Sequence, residues 1–234
     1  MSKIYKINNH LMEYKSNCIN YKDPYNPLDL PPNTIRVKFK SGYTPTMGDT
    51  QTLVDSNENV WDIYKQSNDW SNLFAFETAG ADVIVLEILG AETSNVTNMY
   101  KLFYFCKSLT TITLFNTSNV TNTGSMFHGC EALTSIPLYV TSKVTDMKWM
   151  FCGCKSLTSI PLFDTSKVTD ISYMFRDCTN VQSGALALYQ QVSTQDNPPT
   201  SYNHRDTFYN CGINTQTGSA ELAQIPTSWG GTMS

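Results

Sequence analysis

The sequence predicts an α/β solenoid: a short leucine-rich-repeat stack of 24-residue units with atypical caps and a small β-rich N-terminal module. Three observations lead there. Four Thr-Ser pairs begin at Thr93, Thr117, Thr141 and Thr165, each 24 residues from the next without a gap. The same register carries Val96, Val120, Val144 and Val168, then Phe103, Phe127, Phe151 and Phe175, then Cys106, Cys130, Cys154 and Cys178. Within a unit, Leu157-Thr-Ser-Ile160-Pro-Leu162 has the LxxLxL spacing of a leucine-rich-repeat strand.

Residues 1–30 read as an irregular N-terminal segment, because the four prolines between Asp23 and Pro32 forbid a helix there. Residues 31–80 read as the small β-rich module. In it, Thr34 to Lys40 alternates polar and apolar residues, so Ile35, Val37 and Phe39 should face inward. Trp61, Trp70, Phe74 and Phe76 supply further core.

Residues 81–181 read as the repeats, led by a buried capping strand from Asp82 to Leu89. In each unit the strand should point Ile160 and Leu162 inward, with Ser159 and Pro161 outward. A turn from Asp164 to Asp170 follows, and Met147, Met150 and Phe151 at i, i+3, i+4 predict a short helix or 3₁₀ turn. One unit cannot bury its apolar side alone, so neighbours must stack. Residues 182–234 read as a C-terminal cap, with a helix over Ala185 to Val192 ended by Gln195 to Thr200, an echo of the repeat centre at Phe208 to Cys211, and a last helical turn from Ser219.

A chain of 234 residues with 41% hydrophobic residues can bury a real core, while only 15% are charged, so polarity comes mainly from Ser, Thr and Asn. A net charge of −4 with scattered Lys and Arg leaves no basic stripe for a run of phosphates, and nucleic acid is not expected as a partner. The longest apolar run, Val83 to Leu89, contains Glu87, so membrane insertion is not expected and the protein should be soluble. Met1 to His10 carries no apolar leader, which predicts use in a cytoplasm or release by another route, as for a virion component freed by lysis.

Four of the seven cysteines share one column and read as small buried hydrophobes, unoxidised; Cys152 falls in a variable column with Tyr104, His128 and Arg176 and should be exposed. No further ligands stand at zinc spacing around Cys152 and Cys154, so no metal is expected. His10, His128 and His204 lie in separate regions without a nucleophile motif. Asp146 and Asp170 share a column with Asn98 and Asn122, an exchange that suits turn duty and not paired acid–base chemistry. No nucleotide or calcium motif appears, and no cofactor is expected.

The unit, with its Thr-Ser-Asn/Lys-Val-Thr-Asn/Asp start, Met-Phe-x-x-Cys centre and Leu-Thr-Ser-Ile-Pro-Leu strand, resembles the BspA-like leucine-rich repeats of bacterial surface proteins over residues 93 to about 181. Thr123 and Gly124 depart from it at the helix start, and Thr113 stands where later units have Pro137 and Pro161. The resemblance implies adhesion and recognition without chemistry. Repeats of this family are also carried by some gut bacteriophages, which implies a virion, or alternatively a bacterial cell surface, as the setting.

Positions that vary between units while their neighbours stay constant are candidates for binding. One set is Phe115, Tyr139 and Phe163, which either line the outer strand face or pack inward as corner residues. The other is the turn surface carrying Tyr100, His128, Lys148, Trp149, Tyr173 and Arg176, where Trp149 is either a binding residue or a cover for the neighbouring coil. The expected function is a non-enzymatic recognition or assembly module, in a phage tail or fibre, whose partner is a host surface glycan or protein or another virion protein. The alternative is a bacterial adhesin. A homo-oligomer stays open, and a glycan-active enzyme has no assignable carboxylate pair to support it.

Overall fold

The computed structural model describes residues 3–7, 10–15, 18–21, 30–75, 85–194 and 202–233. Segment 23–29, Phe76, residues 82–84 and the helix-ending stretch 195–200, all given roles above, lie outside the described residues. Strands β1 (Lys3–Ile7), β2 (His10–Lys15) and β3 (Cys18–Tyr21) form an antiparallel meander. An irregular segment was expected here from the prolines, but these begin only at Pro24, after β3 ends.

A second sheet combines β4 (Thr34–Phe39), β5 (Thr50–Asp55), β6 (Val60–Tyr64), β7 (Val85–Glu92) and β8 (Thr111–Ile112) in the order β5-β6-β4-β7-β8. Strand β4 runs antiparallel to both β6 and β7, and β8 runs parallel to β7. The alternation in β4 places Ile35, Val37 and Phe39 in the core. On its other face Arg36 pairs with Asp62, directly opposite on β6, through bonds of 2.6 and 2.8 Å. Phe39 lies 6.3 Å from Phe74, so the core of this sheet runs on into the repeats.

The architecture is therefore a mixed five-stranded sheet, neither closed nor curled, with two short helices, α1 (Ala185–Ser193) and α2 (Gln216–Leu222). This corrects the α/β solenoid: beyond β8 the repeat units contain neither the strand nor the helix that their pattern predicts. The strand fails for want of a donor. Thr113 N–H donates to the Ile88 carbonyl at 3.2 Å and extends the parallel pairing, whereas Pro137 and Pro161 stand at that place in the next units and have no N–H. Period-2 alternation stops with it. Leu138 and Leu162 are 60% and 51% exposed instead of inward.

The helix fails for a different reason. Lys101, Phe105, Ser125, Gly129, Trp149, Gly153, Tyr173 and Asp177 have left-handed backbone, so every fourth residue of this segment breaks a helix and starts a new turn. Between these breaks, alternate N–H groups reach the next coil. Met99, Lys101, Phe103 and Phe105 donate to the carbonyls of Asn122, Gly124, Met126 and His128 at 2.8–2.9 Å. Leu102, Tyr104 and Cys106 donate three residues back, to Met99, Lys101 and Phe103, and Tyr100 N–H goes to Asn98 Oδ1. Every backbone donor from Met99 to Cys106 is thereby satisfied without helix or sheet. The same rungs recur from Thr123 to Gly129, Met147 to Gly153 and Ile171 to Asp177.

Repeat columns are the side-chain consequence of these rungs. Phe74, Phe103, Phe127, Phe151, Phe175 and Phe208 stack in one file with centroids 5.3–6.3 Å apart. Phe74 extends the file ahead of the units that the sequence aligns, and Phe208 continues it at the expected echo of the repeat centre. Cys106, Cys130, Cys154 and Cys178 donate their thiols to the Phe carbonyls of the preceding coil at 3.1–3.4 Å, and burial pushes each thiol far above its usual range. Thr93, Thr117 and Thr141, almost wholly buried, donate Oγ1 to the next coil's Asn116, Val140 and Asp164 carbonyls at 2.5–2.8 Å. Asp69, Asn98, Asn122, Asp146, Asp170 and Asn203 are bridged in series and accept the N–H two residues on, which is the expected turn duty.

Two threonines separate a part-buried bond from an exposed one. Thr141→Val leaves the Asp164 carbonyl short of a buried donor and should cost about 1–2 kcal/mol, whereas Thr145→Val, at an exposed position, should cost less than about 0.5 kcal/mol. Urea unfolding of both variants against the parent measures the difference.

Candidate functional site

The rungs hold successive coils side by side, so residues in one column become neighbours in space. Phe115, Tyr139 and Phe163 are at most 3% exposed. Phe115 and Tyr139 lie 5.0 Å apart, and Phe163 lies 5.9 Å from Phe151 of the central file. They are corner residues of the core, and their reading as an outer binding surface is corrected: the lost alternation that turns Leu138 and Leu162 out turns Tyr139 and Phe163 in.

His128, Trp149, Tyr173 and Arg176 do come together, on the face formed by the left-handed turns. His128 lies 5.1 Å from Tyr104 and 5.4 Å from Trp149, and Trp149 lies 4.2 Å from Tyr173. Arg176 lies 5.6 Å from the Tyr173 ring and 4.5 Å from Tyr209, while Lys101 Nζ sits 4.4 Å above Tyr104. One belt of rings with a cation near either end thus crosses the coils. Trp149 and Tyr173 occupy left-handed backbone at φ 60° and 61°, where a bulky residue costs of order 1 kcal/mol or more. Cys152, expected to be exposed, is buried between His128 and Arg176 in its column.

Gly124 and Ser125 interrupt this belt on its flank. Their columns carry Tyr100 and Lys101 in the preceding coil and Lys148 and Trp149 in the following one. The small residues leave a cleft of about 480 Å³, walled by Tyr100, Lys101 and Tyr104 on one side and by Lys148 and Trp149 on the other, with His128 and Asp146 also lining it. A Cβ placed on Gly124 would stand 3.2 Å from the Tyr100 ring and 3.3 Å from Asp146 Oδ2, so ring and carboxylate converge over the glycine.

Burial, helped by the nearby Lys101 charge, lowers the His128 pKa to about 4, which keeps the imidazole neutral at physiological pH. Burial also raises Asp146; its Oδ1 bond from Lys148 N–H at 2.9 Å opposes the rise, and the neighbouring Asp170 charge adds to it. The cleft offers two ammonium groups, one carboxylate, a neutral imidazole, a hydroxyl and two phenols. Among the described residues no group of three or more His, Cys, Asp or Glu is placed to hold a metal ion. No helix among them is long and apolar enough to cross a membrane.

The variable column positions announce Trp149, Tyr173, His128 and Arg176 from the sequence alone. Lys101, Tyr104, Asp146 and Tyr209 were not singled out as site residues. The signal for the cleft was the Gly124 departure, which marks a gap only once the columns are known to be adjacent.

A raised carboxyl pKa makes the charged form a liability of the fold. The penalty is fully present above the folded pKa and vanishes below the unfolded value near 4. Asp146→Asn, which keeps the turn acceptor as Asn98 and Asn122 do, should therefore be more stable than the parent at pH 7 and equally stable near pH 3. Urea unfolding of parent and variant at both pH values checks this.

No curated protein and no solved structure matches the chain. A family match begins at residue 68, one residue before the first bridged turn at Asp69 and well ahead of Thr93, so it follows the coils of the structure more closely than the Thr-Ser period does. Residues 68–189, more than half of the chain, match the family described as Mycoplasma protein of unknown function, DUF285, and the chain belongs to that family.

Proposed function

We propose that this chain is a non-enzymatic recognition or assembly module that binds a surface glycan or protein through the belt from Tyr104 to Tyr209 and the cleft beside it. The observation that carries the reading is the contrast between columns. Beneath the surface the Phe, Cys, Val and Thr columns repeat almost without change, while the belt differs at every coil and gathers Trp, Tyr, His and Arg. Aromatic residues and arginine dominate binding hot spots, and the fold places Trp149 and Tyr173 where glycine would be cheaper.

The repeat motif's resemblance to BspA-like surface repeats supports recognition as the task. A virion tail or fibre that touches a host is one setting. A bacterial surface adhesin is the second reading, favoured by the family's description as a Mycoplasma protein.

Trp149→Gly separates binding from folding, because a φ of 60° suits glycine. On this account the parent binds intact host cells or their envelope fraction, and the variant binds about thirtyfold more weakly with its melting temperature held within a few degrees. Equal binding by the folded variant, or none by the parent, would sink the proposal. Antibody detection on purified particles and on intact cells then distinguishes the two settings.

A further inference from the structure

We infer that the cleft between Tyr100 and Trp149 receives a single carboxylated sugar unit, with the acid group on Lys148 and Lys101 and the ring hydroxyls on Asp146, Ser125 and His128. The inference rests on the recognition reading above and names its ligand class.

Charge is the first argument. The chain as a whole carries −4, yet this cleft is lined by two ammonium groups and one carboxylate, with the imidazole neutral. The local sign is opposite to the overall one, which favours an anionic ligand here and repels anions elsewhere. Lys148 has no ion-pair partner among the described residues, and its side chain is exposed at the cleft wall.

The backbone narrows the kind of anion. Gly124 N–H is held by Asn122 Oδ1 at 2.8 Å, Ser125 N–H by the Lys148 carbonyl at 2.8 Å, Lys148 N–H by Asp146 Oδ1 at 2.9 Å, and Trp149 N–H by the Ser172 carbonyl at 3.0 Å. A phosphate group typically draws on several backbone N–H groups or an arginine fork, and neither is offered here. An extended peptide would need main-chain partners for β-type pairing, and these donors are spent in turns and rungs. Side chains alone remain, and the Asp146 carboxylate would oppose a dianion while readily accepting from hydroxyl groups.

Polar groups of both kinds beside aromatic rings suit a sugar. Asp146 Oδ2 accepts, Ser125 Oγ and neutral His128 each donate or accept, and Tyr100, exposed and lining the cleft, offers an apolar ring surface to C–H groups. A volume of about 480 Å³ lies inside the span of roughly 300–1,000 Å³ usual for small-ligand pockets.

Calorimetry and amide-shift titration of the full chain test this with trigalacturonate and 3′-sialyllactose, each against its neutral counterpart, trigalacturonate trimethyl ester and 3′-sialyllactose methyl ester. At least one acid should bind about tenfold more tightly than its counterpart, with shifts centred on Gly124, Ser125 and Trp149. Lys148→Gln should erase that preference, and Gly124→Ala, which pushes Tyr100 and Asp146 into the opening at an ordinary φ, should weaken both ligands several-fold. Equal binding of acids and neutral counterparts overturns the inference, as does a preference surviving in Lys148→Gln or a stronger response to hexaglutamate or inorganic phosphate. If no saccharide binds while Trp149-dependent attachment to envelope material persists, this ligand class falls and the recognition reading stands. If a carboxylated saccharide binds at these residues without any envelope attachment, the recognition reading falls and the site remains.

Discussion

The described coils of this protein are joined chiefly by one kind of bond, an alternate backbone N–H reaching forward to the carbonyl of the next coil, with single bonds such as Thr145 N–H to the Thr121 carbonyl reaching back. The chain can make that bond repeatedly only by setting every fourth residue in left-handed conformation, because each reversal turns the next free donor toward the same side. The intervening donors close short turns upon themselves. The result satisfies the backbone as fully as a sheet would, while the chain stays compact enough to carry a file of phenylalanines beneath it. Side-chain identity follows from this geometry. The Cys column sits where a small buried group can give a weak hydrogen to a Phe carbonyl, and the buried threonines supply a donor to carbonyls on the opposite edge.

The same constraint builds the surface. Rungs hold column mates close, so rings on successive coils meet face to face and a small residue in one coil opens a gap between larger ones in its neighbours. Belt and cleft are two outcomes of one arrangement, filled columns and vacated ones. The belt rings lie outside the Phe file. Within this chain the interior columns stay constant from coil to coil while the belt changes, so one fold carries a different surface at each coil.

Much of the interior was legible in the sequence. The 24-residue period, the Phe and Cys columns, the inward face of β4, helix α1 and the turn role of the Asn/Asp column all follow from spacing and residue type. What could not be read was the conformation between them. Met147, Met150 and Phe151 have helical spacing, yet Trp149 between them is left-handed, and a Trp, Tyr, Lys or Phe gives no hint of that. Likewise the LxxLxL run promised a strand, and Pro137 and Pro161 removed the donor that a strand needs, which reversed the facing of Leu162 and Phe163. For the site, Trp149, Tyr173, His128 and Arg176 stood out by their variation. Asp146 did not, because its turn duty hides the second oxygen that lines the cleft.

The claim on which all of this depends is that the coils are joined by rungs and not by helices. Scalar coupling through the hydrogen bond, read between the Phe127 amide nitrogen and its acceptor carbonyl carbon, tests it at one atom pair. The rung predicts a coupling from Phe127 to Met150 in the next coil. A coupling from Phe127 to Thr123, the acceptor that an α-helix would supply four residues back, would contradict it.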